Sequence, residues 1–133
     1  MSSPCHCSSL RAAGRRLSAR YDAALAPLGL NVAQFALLRR LARLGAANLT
    51  ALARALQLER STVGRNARVL ERLGLIAAGR AAEDRREALL RLTPHGEARL
   101  AEGVPLWEGC QEALEARLGP DRVALLEDVL ALL

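Results

Sequence analysis

Apolar side chains recur every three or four positions along most of this 133-residue chain, which is the spacing of amphipathic helices. A first helix is predicted to begin at Ser3, which a proline follows, and to end near Gly29. A second helix is predicted to begin at Asn31, which forms a capping box with Gln34, and to end at Gly45. Each has leucines along one face, so we expect both helices to pack against a core.

Two shorter helices with a tight connection follow. The segment LTALARAL predicts a helix capped by Asn48 or Thr50, and QLER predicts the connection. Ser61 is then expected to cap a helix over TVGRNARVLERLG, which ends at Gly74. The pair forms a helix-turn-helix pattern. Its packing residues are predicted to be Leu52, Ala53, Leu56, Val63, Ala67 and Leu70.

After Gly74 the pattern changes to short strands. LIAAGR and EALLRLT each predict a strand, and AAEDRR predicts the turn of a hairpin between them. Thr93, with Pro94 after it, then opens a longer helix in which Gly103 and Pro105 are expected to be flaws. A GPD break precedes a final short helix. The chain is therefore predicted to be mainly α with a small β-hairpin, in one domain over residues 1–133.

Charge is distributed unevenly along the chain. All 19 basic residues are arginine. Sixteen of them lie in residues 1–91, where there are six acids, so this part has a net charge of +10. Residues 92–133 hold three arginines and eight acids, which leaves −5. A basic body of this kind suits an anionic partner, although the use of arginine for solubility in a GC-rich genome gives the same composition.

Several classes of protein are excluded. No apolar run approaches the ~20 residues that span a bilayer, and no secretory signal begins the chain. We therefore expect a cytoplasmic protein with reduced thiols and no membrane partner. Its two histidines, His6 and His95, have no orienting third group for nucleophilic catalysis, so we expect neither an enzyme nor a cofactor.

The order of elements resembles the MarR family of winged-helix transcription regulators. The resemblance rests on the stretch from LTALARAL to LTPHG, residues 49–96. It includes the GLI turn at 74–76, an arginine at the hairpin start, the DRR at 84–86 and the LTPHG exit. It implies a winged helix that binds DNA, over about residues 31–93. Dimerisation helices would then cover about residues 1–30 and 94–133.

The resemblance makes the second helix of the pair the recognition helix in the major groove. Its N-terminal residues would meet base edges or nearby phosphates: Ser61, Thr62, Arg65 and Asn66. Its other arginines would contact phosphates, which position a protein without reading sequence: Arg60, Arg68 and Arg72. Some of these charges are expected to do no more than solvate the helix surface.

The hairpin would act as the wing. Arg80 stands at its start, Arg85 or Arg86 would enter the minor groove, and Asp84 would pair with one of them at the tip. Because members of the family are two-fold dimers, the resemblance also implies a homodimeric repressor on a pseudo-palindromic operator in double-stranded DNA. The apolar residues available for a dimer are Leu106, Trp107, Leu114, Leu118, Leu126 and Leu130.

Cys7 matches a feature of the branch of this family that senses organic hydroperoxides. That branch has a cysteine at the start of the first helix and a tyrosine fourteen positions later, here Tyr21. In its two-cysteine members a C-terminal cysteine, here Cys110, resolves the oxidised thiol across the dimer. The other tyrosine of that branch is Arg11 here. This cation and the helix N-terminus would both favour the thiolate of Cys7.

Other interpretations of these thiols stay open. Cys5, His6 and Cys7, with Cys110, could bind a soft metal, although structural zinc prefers the spacing Cys-x₂₋₄-Cys. The N-terminal thiols could also have no role. A small aromatic ligand in the cleft between the dimer and DNA-binding parts is a further effector that the resemblance allows.

Overall fold

The computed structural model describes residues 3–80 and 88–133, with the backbone alone at Arg80. In this part of the chain the elements are α1 (His6–Leu25), α2 (Val32–Leu44), α3 (Leu49–Leu56), α4 (Arg60–Arg72), β1 (Ile76–Arg80), β2 (Ala88–Leu92), α5 (Pro94–Leu118) and α6 (Pro120–Leu132). A 3-10 turn, Ala26–Leu28, leads from α1 to a left-handed Gly29. The predicted class, mainly α with a β-hairpin, is confirmed.

The core lies where α2, α3, α4 and the hairpin meet. Its most deeply buried side chains are Leu37, Leu38, Leu41, Leu52, Val63 and Leu70. They recur at helical spacing on the inner faces of three helices, so one cluster fixes all three. The predicted packing of α3 against α4 is confirmed, with Leu56 half-buried at its edge.

Side-chain caps begin three helices as predicted. The Asn31 carboxamide accepts from the Gln34 N–H at 2.8 Å, and the Gln34 side chain accepts from the Asn31 N–H at 3.0 Å, which completes the capping box. Asn48 accepts from the backbone N–H three residues on at 2.8 Å and begins α3. The Thr93 hydroxyl accepts from the Gly96 N–H at 3.0 Å and begins α5. These local hydrogen bonds fix where α2, α3 and α5 begin.

The predicted start of α1 is wrong. The N-cap is Cys5, and the first helical hydrogen bond runs from the Ser9 N–H to the Cys5 carbonyl at 3.0 Å. Cys5 has extended backbone angles, φ −69° and ψ 117°, so Ser3 and Pro4 lie before the helix. A Ser-Pro pair favours a helix start but does not determine one.

The predicted start of α4 is also wrong, because Glu59 rather than Ser61 is its N-cap. Gln57 ends α3 in the left-handed region, at φ 54°. This bend brings the Leu58 N–H to the Ala53 carbonyl at 3.0 Å. The connection is therefore shorter than the sequence predicted, and α4 begins at Arg60.

Gly103 and Pro105 do not interrupt α5, contrary to the prediction. Pro105 is exposed, so the carbonyl that loses its partner can be hydrated. Gly103 is buried against α2, where a Cβ would lie 2.4 Å from Cε2 of Phe35. The glycine therefore permits close helix packing.

The hairpin is anchored at its base. Ile76 pairs with Leu92, and the register continues to Arg80 opposite Ala88. At the exit, the Thr93 hydroxyl donates to the Gly74 carbonyl at 2.6 Å. These contacts tie the end of α4, the hairpin and the start of α5 together.

The C-terminal segment is less buried than the core. Leu114 is buried within the protomer, which corrects its place among the residues available to a dimer. Leu106, Trp107 and Leu118 are half-buried, and Leu126 and Leu130 are exposed. Within the described part of the chain, none of the helices combines the length and apolarity needed to cross a bilayer.

Candidate nucleic-acid interface

α4 has an apolar inner face and a polar outer face. Val63, Gly64, Ala67 and Leu70 face the core. Among the residues of α4 predicted to bind DNA, two are half-buried, Thr62 and Asn66, and five are exposed: Arg60, Ser61, Arg65, Arg68 and Arg72. Four arginines against one glutamate leave the helix at +3. The local charge favours an anionic partner along this face.

A groove of 280 Å³ lies between α4, the N-terminus of α3 and the hairpin. Its polar and small lining residues include Asn48, Thr50, Arg60, Arg68, Ala78 and Ala88. A second concavity, of 590 Å³, runs along α4 and is lined by Arg65, Arg68, Val69, Glu71 and Arg72. Arg68 lines both, so the two concavities form one arginine-bearing surface.

These arginines are not neutralised by neighbouring carboxylates in the part of the chain that the structure describes. The salt bridge found there joins Arg99 to Glu102 at 3.1 Å, within α5. Guanidinium groups are always charged and present donors in a fork that matches phosphate oxygens and the guanine edge. The exposed face of α4 can therefore both hold a phosphate backbone and read bases.

The wing is described in part. Its two strands are in place, and the backbone of Arg80 ends β1. The predicted tip residues Asp84, Arg85 and Arg86 lie outside the described residues. Sequence reasoning missed the N-terminal end of α3 as part of the groove, although the predicted Asn48 cap, which fixes where α3 begins, was a usable signal.

The N-terminal thiols lie at the start of α1. Cys5 and Cys7 are exposed, and neither is in a disulfide. Hydrogen bonds from the Ser8 hydroxyl, and then from the backbone N–H groups of Ser8 and Cys7, lower the pKa of the Cys5 thiol. Sequence reasoning named Cys5 among the redox-sensing residues and as an alternative metal ligand, but it placed the helix start at Ser3, and so it missed Cys5 as the N-cap.

Tyr21 lies near the opposite end of α1. Its hydroxyl donates to the side-chain carbonyl of Gln111 on α5. Burial, followed by the charges of Cys110 and Glu115, raises the pKa of the phenol, so Tyr21 stays protonated as a donor. Fourteen residues of helix separate it from Cys7 by about 21 Å. Neither the Tyr21 ring nor the half-buried Cys110 beside it can therefore contact Cys7 within one protomer.

A metal centre at Cys5, His6 and Cys7 has no support from the geometry. Over residues 3–80 and 88–133, no three side chains of His, Cys, Asp or Glu come together in a way that could hold a metal ion. Cys110, which the metal interpretation needed as a further ligand, lies beside Tyr21 instead.

Comparison with known proteins gives a consistent result. Residues 30–88 match the MarR family model. The M. tuberculosis transcriptional regulator MOSR, solved in complex with DNA, is 36% identical over 97% of this chain and 93% of that chain, with a TM-score of 0.85. The transcriptional repressor CouR, bound to a 23-mer DNA duplex, is 30% identical over 96% of this chain and 90% of that chain, with a TM-score of 0.85. Bordetella bronchiseptica BpsR, whose DNA binding is regulated by 6-hydroxynicotinic acid, is 29% identical over 99% of this chain and 95% of that chain, with a TM-score of 0.87. No protein of curated function matches the sequence significantly.

Proposed function

This chain belongs to the MarR family and is a winged-helix DNA-binding transcription regulator, and we propose that it represses transcription as a homodimer on a pseudo-palindromic operator. The observation that carries the proposal is the outer face of α4. There Arg65, Arg68 and Arg72 line one concave surface and have no carboxylate partner among the described residues. Two such helices related by a two-fold axis would read two half-sites about one helical turn apart.

A second copy of the chain accounts for the exposed apolar residues of the C-terminal helix. α6 has no buried residue, and Leu125, Leu126 and Leu130 are 57%, 51% and 68% exposed. Leu10 on α1 is also exposed. A contiguous apolar face of this kind marks an interaction site. Because α1 packs against α5 and α5 against α6, both ends of the chain can share one interface.

The DNA-bound structures of MOSR and CouR support the same function, since both align with over nine-tenths of this chain. Both of those proteins were solved in complex with DNA, and CouR is a transcriptional repressor. We extend both properties to this chain as a proposal, on the strength of the arginine-bearing α4.

Operator binding by a pair of variants tests the proposal. We expect Arg65→Ala to weaken binding to the operator at least about 30-fold, because each dimer loses two contacts to base edges worth ~1–3 kcal/mol apiece. Arg86→Ala at the wing is expected to weaken it as well. Arg117→Ala, an exposed arginine of α5, is the matched control and should stay within about twofold. The measurement is fluorescence anisotropy with labelled duplex, and sedimentation must show that each variant is still a dimer. Unchanged affinity in both Arg65→Ala and Arg86→Ala would contradict the proposal.

We further propose that oxidation of Cys7 releases the protein from DNA. A hydroperoxide, ROOH, would oxidise the exposed Cys7 thiol to a sulfenic acid and leave as the alcohol, ROH. The sulfenic acid would then condense with the partner subunit's Cys110 thiol, forming a disulfide and releasing water. Cys7 lies about 21 Å along α1 from Tyr21, and Cys110 lies beside Tyr21. This separation supports a disulfide between subunits rather than within one. Such a bond would pull on α1 and α5 and change the spacing of the two α4 helices.

Cysteine variants separate the steps of this mechanism. Cumene hydroperoxide should release wild-type protein from its operator but not Cys7→Ser. A dimer-sized band on non-reducing gels should appear in wild type and be absent in Cys110→Ser. Cys5→Ser, which alters the neighbouring thiol, shows whether Cys5 is needed. Normal release of Cys7→Ser by peroxide would refute the role of Cys7. The alternative effector, a small aromatic ligand in the cleft between the dimer and DNA-binding parts, stays a prediction from the sequence.

A further inference from the structure

Three arginines on α2 surround one small cavity away from the arginine-bearing face of α4. Arg39, Arg40 and Arg43 line it together with Ala36 and Leu56, and its volume is 110 Å³. Arg43 is four positions from Arg39 and three from Arg40, so it neighbours both on the surface of α2, where like charges repel. Within residues 3–80 and 88–133 none of the three forms an ion pair with a carboxylate. A cavity bordered by three cations favours an anion.

Arg39 is held in place by α5. Its guanidinium carbon lies 4.0 Å from the centroid of the Trp107 ring, within the range of a cation–π contact. Burial, followed by the charges of Arg43 and Arg40, lowers the pKa of Arg39. The guanidinium nevertheless stays charged at physiological pH. The repulsion within the cluster is therefore permanent unless a counter-charge binds.

The size of the cavity limits its occupant. Pockets for drug-sized ligands run to about 300–1,000 Å³, and this one has 110 Å³. A phosphate-sized ion fits this scale, whereas an aromatic ring with substituents does not. Guanidinium groups bind oxyanions through two parallel hydrogen bonds, and three of them around one cavity can surround such an ion.

The cavity is also separate from the face that we assign to DNA. It shares no lining residue with the groove between α3, α4 and the hairpin or with the concavity along α4. Arg39 instead lies where α2 meets α5, at the junction of the winged helix and the long C-terminal helix.

We propose that Arg39, Arg40 and Arg43 form a binding site for a small free oxyanion of the phosphate class, between α2 and the end of α3, where Arg39 also contacts Trp107 of α5. The bound ion would neutralise the repulsion between the arginines and hold Arg39 against Trp107. An ion in this place would stiffen the connection between the winged helix and α5. The site does not depend on the proposed recognition of DNA, so the two can fail separately. A phosphate of the nucleic-acid backbone has the same chemistry, and the experiment distinguishes the two sources.

Calorimetric titration of the full chain with sodium phosphate, at constant ionic strength set by chloride, tests the site. We expect saturable binding of one phosphate per chain in wild type and in the control Arg117→Gln. Binding should be at least about tenfold weaker in Arg43→Gln. Thermal unfolding is the second measurement. Without phosphate, Arg43→Gln should unfold at or above the wild-type temperature, because a repulsive charge is gone. Addition of phosphate should raise the unfolding temperature of wild type more than that of the variant.

Two results would overturn the site. The first is an equal, non-saturable response to phosphate in all three proteins, which is the general effect of the salt. The second is an absence of phosphate binding together with a loss of duplex affinity in Arg43→Gln as large as that in Arg65→Ala. In that case a backbone phosphate of DNA occupies the cluster.

Discussion

The winged helix and the terminal helices bury their leucines to very different degrees. In the winged helix, Leu38, Leu52 and Leu70 are fully inaccessible to solvent. In α6, Leu126 and Leu130 are more than half exposed, although both segments show the same helical spacing of leucines in the sequence. The spacing of leucines predicts a buried face, but it does not tell whether the same chain or a second copy covers it. The winged helix closes its own core, and α6 leaves an exposed apolar face, which we propose a second copy covers.

The largest expected effect is on that face. Leu126→Glu combined with Leu130→Glu would place four carboxylates in the interface of a dimer and remove four leucines from it. Each leucine contributes ~1.5–3 kcal/mol when fully buried, so we expect the dissociation constant of the dimer to rise at least about 1,000-fold. Sedimentation equilibrium measures this constant, and circular dichroism should show an unchanged helix content.

The control for this prediction is Leu58→Glu, which makes the same kind of substitution at an exposed leucine of the connection between α3 and α4. It should leave the dimer intact. If the α6 double variant stays dimeric as well, the exposed leucines of α6 are not the interface.

A smaller effect is expected where the two regions meet, at the contact of α5 with α2. Gly103→Ala would place a Cβ 2.4 Å from Cε2 of Phe35, so the helices must move apart. Overpacking of this kind destabilises by ~1–3 kcal/mol. Gly109→Ala is the matched control, because no atom lies within 4 Å of its added Cβ and alanine is the better helix former. Urea unfolding should rank Gly109→Ala at or above wild type and Gly103→Ala below it. The reverse order would contradict the close packing of α5 on α2.

Local chemistry made part of this fold predictable. The caps at Asn31, Asn48 and Thr93 depend on side chains three residues or fewer from their partners, and the sequence contains both sides of each bond. The start of α4 was not predictable in this way. It depends on a left-handed Gln57, and glutamine is not a residue that favours positive φ.

Tertiary contacts account for the remaining differences. Gly103 was expected to disrupt α5, since a helix in isolation gives a glycine no benefit, but the Phe35 ring of α2 needs the space. The Tyr21 hydroxyl donates a hydrogen bond to Gln111, ninety positions away, and no spacing in the sequence indicates this contact. In the candidate interface, the outward arginines of α4 followed from helical periodicity. The contribution of α3 to the groove required the packing of two elements.

The smallest expected effect is at the N-terminus of α1, where the thiols are exposed rather than packed. In a Cys7→Ser, Cys110→Ser background, Cys5 is the remaining thiol. Because hydrogen bonds from Ser8 lower its pKa, the alkylation rate with iodoacetamide should rise with pH around a midpoint below that of a free cysteine. Adding Ser8→Ala should move the midpoint to higher pH, since the thiolate loses a donor. Ser9→Ala is the control, and equal midpoints in both variants would show that the Ser8 hydroxyl does not act on Cys5.

Binding to duplex DNA tests the central claim most directly. Anisotropy titration of a random-sequence duplex of about 30 base pairs, combined with sedimentation of the complex, gives affinity and stoichiometry together. We predict two chains per bound duplex and, for ~8 phosphate contacts, an affinity that falls by about 10³ or more between 50 and 200 mM salt. A monomeric chain without measurable affinity for the duplex at 50 mM salt would contradict the claim.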